Sequence, residues 1–166
     1  DAEGAAGEEA VVTAILLLHQ PLHQRVALDP AAELGRRDPH HYGSFTLSEL
    51  EVAVRRFARE LDLEVIFFQT NHEGEFIEYL HRLPEMADAA VINAGAWTHY
   101  SWAIRDALEF AQLPAVEVHI SDVESREEWR RHSVFDGLVL AKISGKKLDG
   151  YREALELIAK ELGVGE

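Results

Sequence analysis

A glutamate and a histidine, Glu117 and His119, interrupt the apolar stretch Val116–Ile120. Strands buried in a parallel sheet are normally apolar throughout, so a polar pair at this point needs an explanation. Residues two apart in a strand lie on the same face, where a carboxylate would favour the protonated imidazole and let His119 act as a general acid near neutral pH. A hydrogen-bonded structural pair explains these residues equally well, and the segment alone leaves both interpretations open.

A second polar segment follows another apolar stretch. From Asn93 the chain passes through small residues to His99, at the point where a predicted strand gives way to a helix. Such a turn presents backbone N–H groups and a side-chain amide to a bound anion. Turn geometry alone also favours asparagine and glycine, so a purely structural role is the alternative.

Arg37 and Tyr42 lie in a stretch rich in arginine and histidine. A tyrosine, whose ordinary pKa is about 10, acts as a base at neutral pH only when a nearby cation stabilises its phenolate. Arg37 could supply that cation. Taken singly, both residues are more often solvated at the surface.

Two weaker groups complete the polar candidates. His72 and His81 are nine residues apart, which is not the spacing of metal ligands on a helix, and no metal site is predicted. Three arginines form a cationic helix end that could bind a carboxylate: Arg126, Arg130 and Arg131. Ion pairs with Glu127 and Glu128 are the more common outcome for such side chains.

These candidates need a scaffold, and the apolar pattern predicts one. Stretches of strand length alternate with segments whose apolar residues recur at helical spacing, which is typical of a parallel sheet covered by helices on both faces. The predicted strands are Val11–Leu18, Leu63–Phe68, Ala89–Asn93, Ala115–Ile120 and Gly137–Ala141. The predicted helices are one beginning at Thr46, then Gly74–Leu83, Ser101–Ala111, Arg126–Arg131 and Gly150–Leu162. Capping boxes are predicted for Thr46 with Glu49 and for Ser125 with Glu128.

The connection after the first predicted strand is unusually long. About 25 residues precede the first predicted helix, far more than the usual 2–6 of such a loop. We predict that this stretch, about residues 19–43, is a lid that leaves the carboxyl end of the first strand, where open α/β sheets bind ligands. One domain is expected over residues 11–166, after a flexible acidic N-terminal segment, residues 1–10.

The charge and composition of the chain restrict the kinds of molecule that the protein can bind. The net charge of −14 argues against nucleic acid or an anionic membrane, since both require a basic surface, and any anionic ligand must be held by local cations. No cysteine occurs, which excludes a thiol nucleophile and fits a reducing compartment. No stretch approaches the roughly 20 apolar residues of a membrane helix. We therefore expect a cytoplasmic protein.

Four groups of residues resemble, in the same order, the signatures of the type II 3-dehydroquinate dehydratases. They are Leu34–Gly43, Gln69–Glu75, Asn93–Ser101 with Arg105–Leu108, and Val116–Ser121 with Arg126–Ser133. The similarity covers roughly residues 34–133, and four ordered motifs are far more specific than any one of them. The resemblance implies a flavodoxin-like, doubly wound, five-stranded parallel sheet in a three-layer α/β/α arrangement.

The resemblance also implies a reaction, the trans elimination of water from 3-dehydroquinate to 3-dehydroshikimate through an enolate, without metal or organic cofactor. Tyr42 would remove the proton next to the ketone, with Arg37 favouring the phenolate. His119, oriented by Glu117, would protonate the leaving hydroxyl. The positions that match the family's substrate contacts are Asn93, His99, Ile120, Ser121 and Arg130. Asp106 matches a residue that reaches a neighbour's site in a homo-oligomer of trimers assembled into a dodecamer.

The first strand departs from the family pattern. The family ends this strand with Asn-Gly-Pro-Asn-Leu, whose second asparagine helps to anchor an enolate-stabilising water, whereas this chain has His19–His23 with Leu22 in that place. An alternative function is therefore a non-catalytic relative that binds a related hydroxy acid or serves in assembly. A third, a nucleotide- or phosphate-binding module, has little support, because the chain has neither a Walker-type loop nor a dinucleotide fingerprint.

Overall fold

The computed structural model of the protein describes residues 12–18 and 39–164. The strands are β1 (Val12–Leu18), β2 (Glu64–Thr70), β3 (Ala89–Asn93), β4 (Ala115–His119) and β5 (Ala141–Ser144). The α-helices are α1 (Pro39–Tyr42), α2 (Leu47–Glu60), α3 (Glu73–Met86), α4 (Trp102–Ala111) and α5 (Leu148–Leu162). Short 3₁₀ helices cover Gly95–His99 after β3, and Val123–Ser125 and Glu128–Arg131 after β4. No helix in the two described ranges is long and apolar enough to cross a membrane.

Helices cover both faces of the sheet. In β3, Ala89 and Val91 pack in one buried cluster with residues of α2 and α5, whereas Ala90 and Ile92 pack in a second cluster with residues of α3 and α4. Successive strand residues point to opposite faces, so a strand that is apolar throughout serves both clusters. The predicted α/β class, with helices packed on both sides of parallel strands, is confirmed.

The direction of the first strand differs from the prediction. The strands lie in the order β2-β1-β3-β4-β5, and β3, β4 and β5 run parallel. β1 runs antiparallel to both of its neighbours, with Thr13 opposite Asn93 on one side and Gln69 on the other. The prediction of an entirely parallel sheet is therefore wrong. β1 is almost entirely apolar, and such a segment buries both faces whichever way it runs, so its pattern contains no information on direction.

The direction of β1 decides where the long connection begins. Leu18, at the end of β1, pairs with Glu64 at the beginning of β2, and Leu17 pairs with Ala89 at the beginning of β3. The connection therefore leaves from the edge opposite the carboxyl ends of β3 and β4, which corrects the prediction. Residues 1–10 and 19–38, which include Leu22 and most of the predicted lid, lie outside the described residues.

Helix α2 begins where the sequence predicts. The Thr46 hydroxyl accepts a hydrogen bond from the Glu49 N–H (3.2 Å), and the Thr46 N–H donates to the Glu49 carboxylate (2.7 Å), which completes the capping box. Leu50, Val54 and Phe57 follow on the buried face of the helix. The start of α2 depends on residues within one turn of each other, and for this reason the local sequence is sufficient to predict it.

The fifth strand lies further along the chain than predicted. It covers Ala141–Ser144 rather than Gly137–Ala141. Gly137 adopts a φ of +77°, and the Leu138 N–H donates to the Phe135 carbonyl (2.9 Å), so the residues before β5 form a turn. Leu138 packs against the cluster of α3 and α4. A turn that packs apolar side chains against the core and a buried strand both have an apolar sequence, and the pattern does not distinguish them.

The predicted helix Arg126–Arg131 is also wrong. The segment after β4 forms two short 3₁₀ helices, and the Asp122 carboxylate, rather than Ser125, accepts from the N–H of Glu124 (3.1 Å) to begin the first one. The second buries Arg130. A polar segment of this kind lacks the apolar stripe that stabilises a longer helix against the core.

Candidate active site

The carboxyl ends of β3 and β4 meet at one edge of the sheet. Asn93 is the last residue of β3, His119 is the last residue of β4, and Ile92 pairs with Glu117. β5 brings Ser144 opposite His119. Open α/β sheets bind ligands at the edge formed by the carboxyl ends of their parallel strands. The polar candidates of two separate segments therefore lie side by side at such an edge.

Glu117 and His119 form a buried pair. Nε2 of His119 lies 2.6 Å from Oε1 of Glu117, and the two residues are 5% and 0% exposed, respectively. An ionised carboxylate only accepts hydrogen bonds, so Nε2 carries a proton and Nδ1 is the ring nitrogen available to a ligand. Among the side chains that the structure describes, Glu117 is the hydrogen-bond partner of the ring, and it binds Nε2. The arrangement can hold an imidazolium beside a carboxylate, as a general acid requires.

His99 lies against His119, and their rings stack with centroids 5.9 Å apart. Nδ1 of His99 is 2.7 Å from the His132 carbonyl, which only accepts, so Nδ1 carries the proton and Nε2 is an acceptor in the neutral ring. Burial lowers the pKa of His99 below its usual range against the opposing effect of the His132 carbonyl, and His119 and Arg130 lower it further. The neutral His99 ring can therefore accept a hydrogen bond from a ligand hydroxyl through Nε2.

We expect His99 to make the protein less stable in acid. Its pKa in the folded protein lies below the ordinary value of 6.5, so the unfolded chain takes up the proton first as the pH falls. The melting temperature of the wild type should therefore decline relative to that of His99→Gln as the pH falls from about 7.5 to about 5. Scanning calorimetry measures both; a difference that stays constant over this range would contradict the lowered pKa.

The amide of Asn93 is held from both sides. The Gly95 N–H donates to Oδ1 of Asn93 (3.2 Å), and Nδ2 of Asn93 donates to the Tyr151 hydroxyl (3.1 Å). Tyr151 belongs to α5 and is fully buried, which raises its pKa to about 12, so the hydroxyl stays protonated. Since the amide orientation follows from these partners, one Nδ2 hydrogen and one lone pair of Oδ1 remain for a ligand.

Arg130 brings a buried positive charge to the same region. Its Nε donates to Oε2 of Glu127 (2.7 Å), and its guanidinium carbon lies 4.1 Å from the centre of the Trp129 ring. The Trp129 ring in turn meets His99 edge-on, with centroids 5.2 Å apart. Glu127 also pairs with Arg126, so this ion pair follows the common outcome that the sequence predicts. A guanidinium suits a carboxylate ligand, because its N–H groups can donate in pairs.

Ile120 and Ser121 continue from β4 and are both buried. The Gly145 N–H, just after β5, donates to the carbonyls of His119 (3.2 Å) and Ser121 (3.1 Å). Gly145 has a φ of +76°, and a Cβ at this position would lie 2.9 Å from Cβ of Asp122, so only glycine fits. The backbone that carries the candidate general acid is therefore fixed by the end of the neighbouring strand.

Three predicted site residues are not placed with this group. Asp106 is exposed on α4. Arg37 lies outside the described residues. Tyr42 is the last residue of α1, and the chain just after it comes close to the turn before α5, since a Cβ on Gly43 would lie 3.6 Å from Cδ of Lys147. The backbone that bears Tyr42 thus approaches the edge of the sheet where β5 ends.

Sequence reasoning missed two side chains that hold the site. Ser133 donates from Oγ to Oε2 of Glu117 (2.6 Å), and Tyr151 accepts from Asn93. Each is distant in sequence from its partner, so spacing along the chain gave no signal for either contact. The other weak group, His72 and His81, is exposed, and the described ranges contain no cluster of three potential metal ligands.

The sequence matches a known protein family over most of its length. The family is dehydroquinase class II, and the match covers residues 30–159. β1 and Leu22 precede the matched range, so the match leaves untested the departure that the sequence suggests at Leu22.

Individual relatives agree with this result. The 3-dehydroquinate dehydratase of Pelobacter propionicus is 47% identical over 133 residues, which cover 80% of this chain and 89% of that protein. The 3-dehydroquinate dehydratase of Syntrophotalea carbinolica is 51% identical over 122 residues, which cover 73% and 82%. Among solved structures, the type II dehydroquinase of Propionibacterium acnes superposes with a TM-score of 0.73 at 41% identity, covering 77% of this chain and 88% of that one.

Proposed function

The chain belongs to the class II dehydroquinase family, and we propose that it is an active 3-dehydroquinate dehydratase. This lyase removes water from 3-dehydroquinate and produces 3-dehydroshikimate, a step of the shikimate pathway. The proposal is carried by the buried pair of Glu117 and His119 at the sheet edge, with the His99 ring stacked against it. Together with the cation of Arg130, they provide an acid, an acceptor and a positive charge for a substrate with a leaving hydroxyl and a carboxylate.

The first step removes a proton. The phenolate oxygen of Tyr42 takes a proton from the carbon next to the ketone, and the electron pair moves onto the ketone oxygen to form an enolate. Arg37 stabilises the phenolate, since the ordinary pKa of tyrosine is about 10. Support comes from the resemblance of the segment to the family's signature and from the approach of Gly43 to Lys147, which brings the end of α1 toward this edge.

The second step releases water. The enolate reforms the ketone, the bond from carbon to the leaving hydroxyl breaks, and Nδ1 of the protonated His119 donates the proton that completes the water molecule. Glu117 holds Nε2 at 2.6 Å, so the ring keeps its orientation. The step leaves Tyr42 protonated and His119 neutral, so one proton returns to His119 and one leaves Tyr42 before the next turnover.

The remaining polar residues hold the substrate. Arg130 binds the carboxylate, and a local cation is needed because the chain as a whole carries a net charge of −14. Asn93 and Nε2 of His99 bind ring hydroxyls with the donor and acceptor that their protein partners leave unused. Ile120 and Ser121, directly after the general acid, complete the contacts to the substrate.

Assembly and location belong to the same proposal. Asp106 is exposed on α4, and we expect it to contribute to the site of a neighbouring subunit in a homo-oligomer of trimers that form a dodecamer. The location in the cytoplasm stays a prediction from the absence of cysteine.

The activity is tested by the ultraviolet absorbance of the conjugated product. Purified protein supplied with 3-dehydroquinate should give a saturable increase in absorbance that survives treatment with a chelator. Binding of a quinate-like acid in a calorimeter, without any turnover, would instead favour the non-catalytic relative. The observation that favours the non-catalytic relative is that the family match begins at residue 30, after β1. If the protein showed no turnover and also bound no quinate-like acid, both functions would be excluded.

A further inference from the structure

A buried hydroxyl lies behind the candidate general acid. Ser133 is 2% exposed, and its Oγ donates to Oε2 of Glu117 (2.6 Å) while accepting from the Phe135 N–H (3.1 Å). The Phe135 N–H occupies one lone pair of the Ser133 oxygen, and the hydroxyl proton is directed at Oε2 of Glu117, since a carboxylate only accepts. Ser133 is therefore a buried hydrogen-bond donor to the carboxylate of Glu117.

Both oxygens of Glu117 then act as acceptors. Oε2 accepts from Ser133, and Oε1 lies 2.6 Å from Nε2 of His119. A hydrogen bond to a charged acceptor is stronger than one to a neutral acceptor, so donation from Ser133 stabilises the carboxylate more than the protonated carboxyl. Since Glu117 is fully buried, water cannot replace either donor. The Ser133 hydroxyl thus favours the ionised form of Glu117, in which the shared proton stays on Nε2 of His119.

The segment that carries Ser133 is held from two sides. The Arg105 guanidinium, on α4, donates to the carbonyls of Val134 and Asp136. The Val134 N–H donates to the carbonyl of Thr98 (2.8 Å), which directly precedes His99. Because these contacts fix the backbone on either side, the position of Ser133 is tied to the helix and to the turn that carries the neighbouring histidine.

We infer that Ser133 is a positioning residue of the elimination, which acts through Glu117 to keep His119 protonated and directed at the leaving hydroxyl. The inference rests on the proposed function. Ser133 contacts Glu117 rather than the reacting atoms, so its removal changes the acid and not the binding of substrate. Without its donor, the pair can shift the Nε2 proton to Glu117, which leaves a neutral imidazole, a much weaker acid.

The test compares three replacements at one position. Ser133→Ala should lower kcat by about 10–100-fold, the loss expected for one hydrogen bond to a charged group, with KM changed less than about threefold. Ser133→Thr keeps the hydroxyl and should restore most of kcat. Ser133→Cys keeps nearly the same volume but offers only a weak donor, so it should reproduce the loss even if the alanine variant does not fold. Ser125→Ala removes an exposed hydroxyl, bonded to the carbonyl of Asp122, and should leave both constants unchanged.

A double-mutant cycle decides whether Ser133 acts through Glu117. In a Glu117→Gln background, Ser133→Ala should change kcat less than about threefold, because the carboxylate it serves is already gone. A full loss in that background, or a rise in KM at constant kcat, would overturn the inference. Failure of the proposed function is a separate result, since the wild type itself would then show no turnover.

Discussion

Replacement of His119 by asparagine should lower kcat by about 10²–10⁴-fold, the range expected for the loss of a general acid. Asparagine is neutral over the whole accessible pH range and cannot give a proton to the leaving hydroxyl. Substrate binding should suffer much less, because Arg130, Asn93 and His99 are held by partners other than His119. Progress curves of the ultraviolet absorbance give kcat, and calorimetry with a quinate-like acid gives Kd.

A matched control for this variant is His81→Asn. His81 is an exposed histidine on α3, where its ring contacts Phe110, and its replacement should leave kcat and Kd unchanged. If His119→Asn kept more than about a tenth of wild-type kcat, the proton would have to come from another group, and His119 would not be the general acid.

Tyr42→Phe should cause a loss of similar size, about 10²–10⁴-fold in kcat, because it removes the oxygen that we propose takes the proton next to the ketone. The change deletes a single atom and preserves the ring, so the fold should be unaffected. The end of α1 is held by a backbone hydrogen bond from the Gly43 N–H to the Pro39 carbonyl (2.9 Å). The same absorbance assay, at saturating substrate, measures the change.

Tyr79→Phe provides the comparison for Tyr42→Phe. Tyr79 is buried on α3, burial raises its pKa to about 12, and its hydroxyl has no hydrogen-bond partner among residues 39–164. Removal of that hydroxyl should therefore leave activity intact and stability equal or slightly higher. If Tyr42→Phe kept the wild-type kcat, Tyr42 would not be the base, whereas the family assignment would be unaffected.

The sequence predicted the parts of the site that depend on short spacing. Glu117 and His119 share a strand, so their contact follows from the period of two, and Asn93 ends a strand whose limits the apolar pattern marks well. The capping box of α2 is local for the same reason. Where both partners lie within a few residues, chain geometry alone brings them together.

Contacts between distant segments could not be predicted in this way. Ser133 reaches Glu117, and Tyr151 reaches Asn93, only because α4, α5 and the turns after β4 pack as they do. The direction of β1 escaped prediction because an apolar strand satisfies both faces of the sheet in either orientation. The roles of Tyr42 and Arg37 come from family resemblance, and no described contact of their side chains bears on them.

The position of Trp129 has an optical consequence. The residue is 49% exposed, yet its ring contacts the His99 ring and the Arg130 guanidinium. Of the three tryptophans, Trp97 is buried and Trp102 lies at the surface of α4, so Trp129 is the indole whose surroundings a bound carboxylate would change. Displacement of water from this ring would shift its fluorescence emission to shorter wavelengths. We therefore expect the fluorescence of Trp129 to report the arrival of a ligand independently of its conversion.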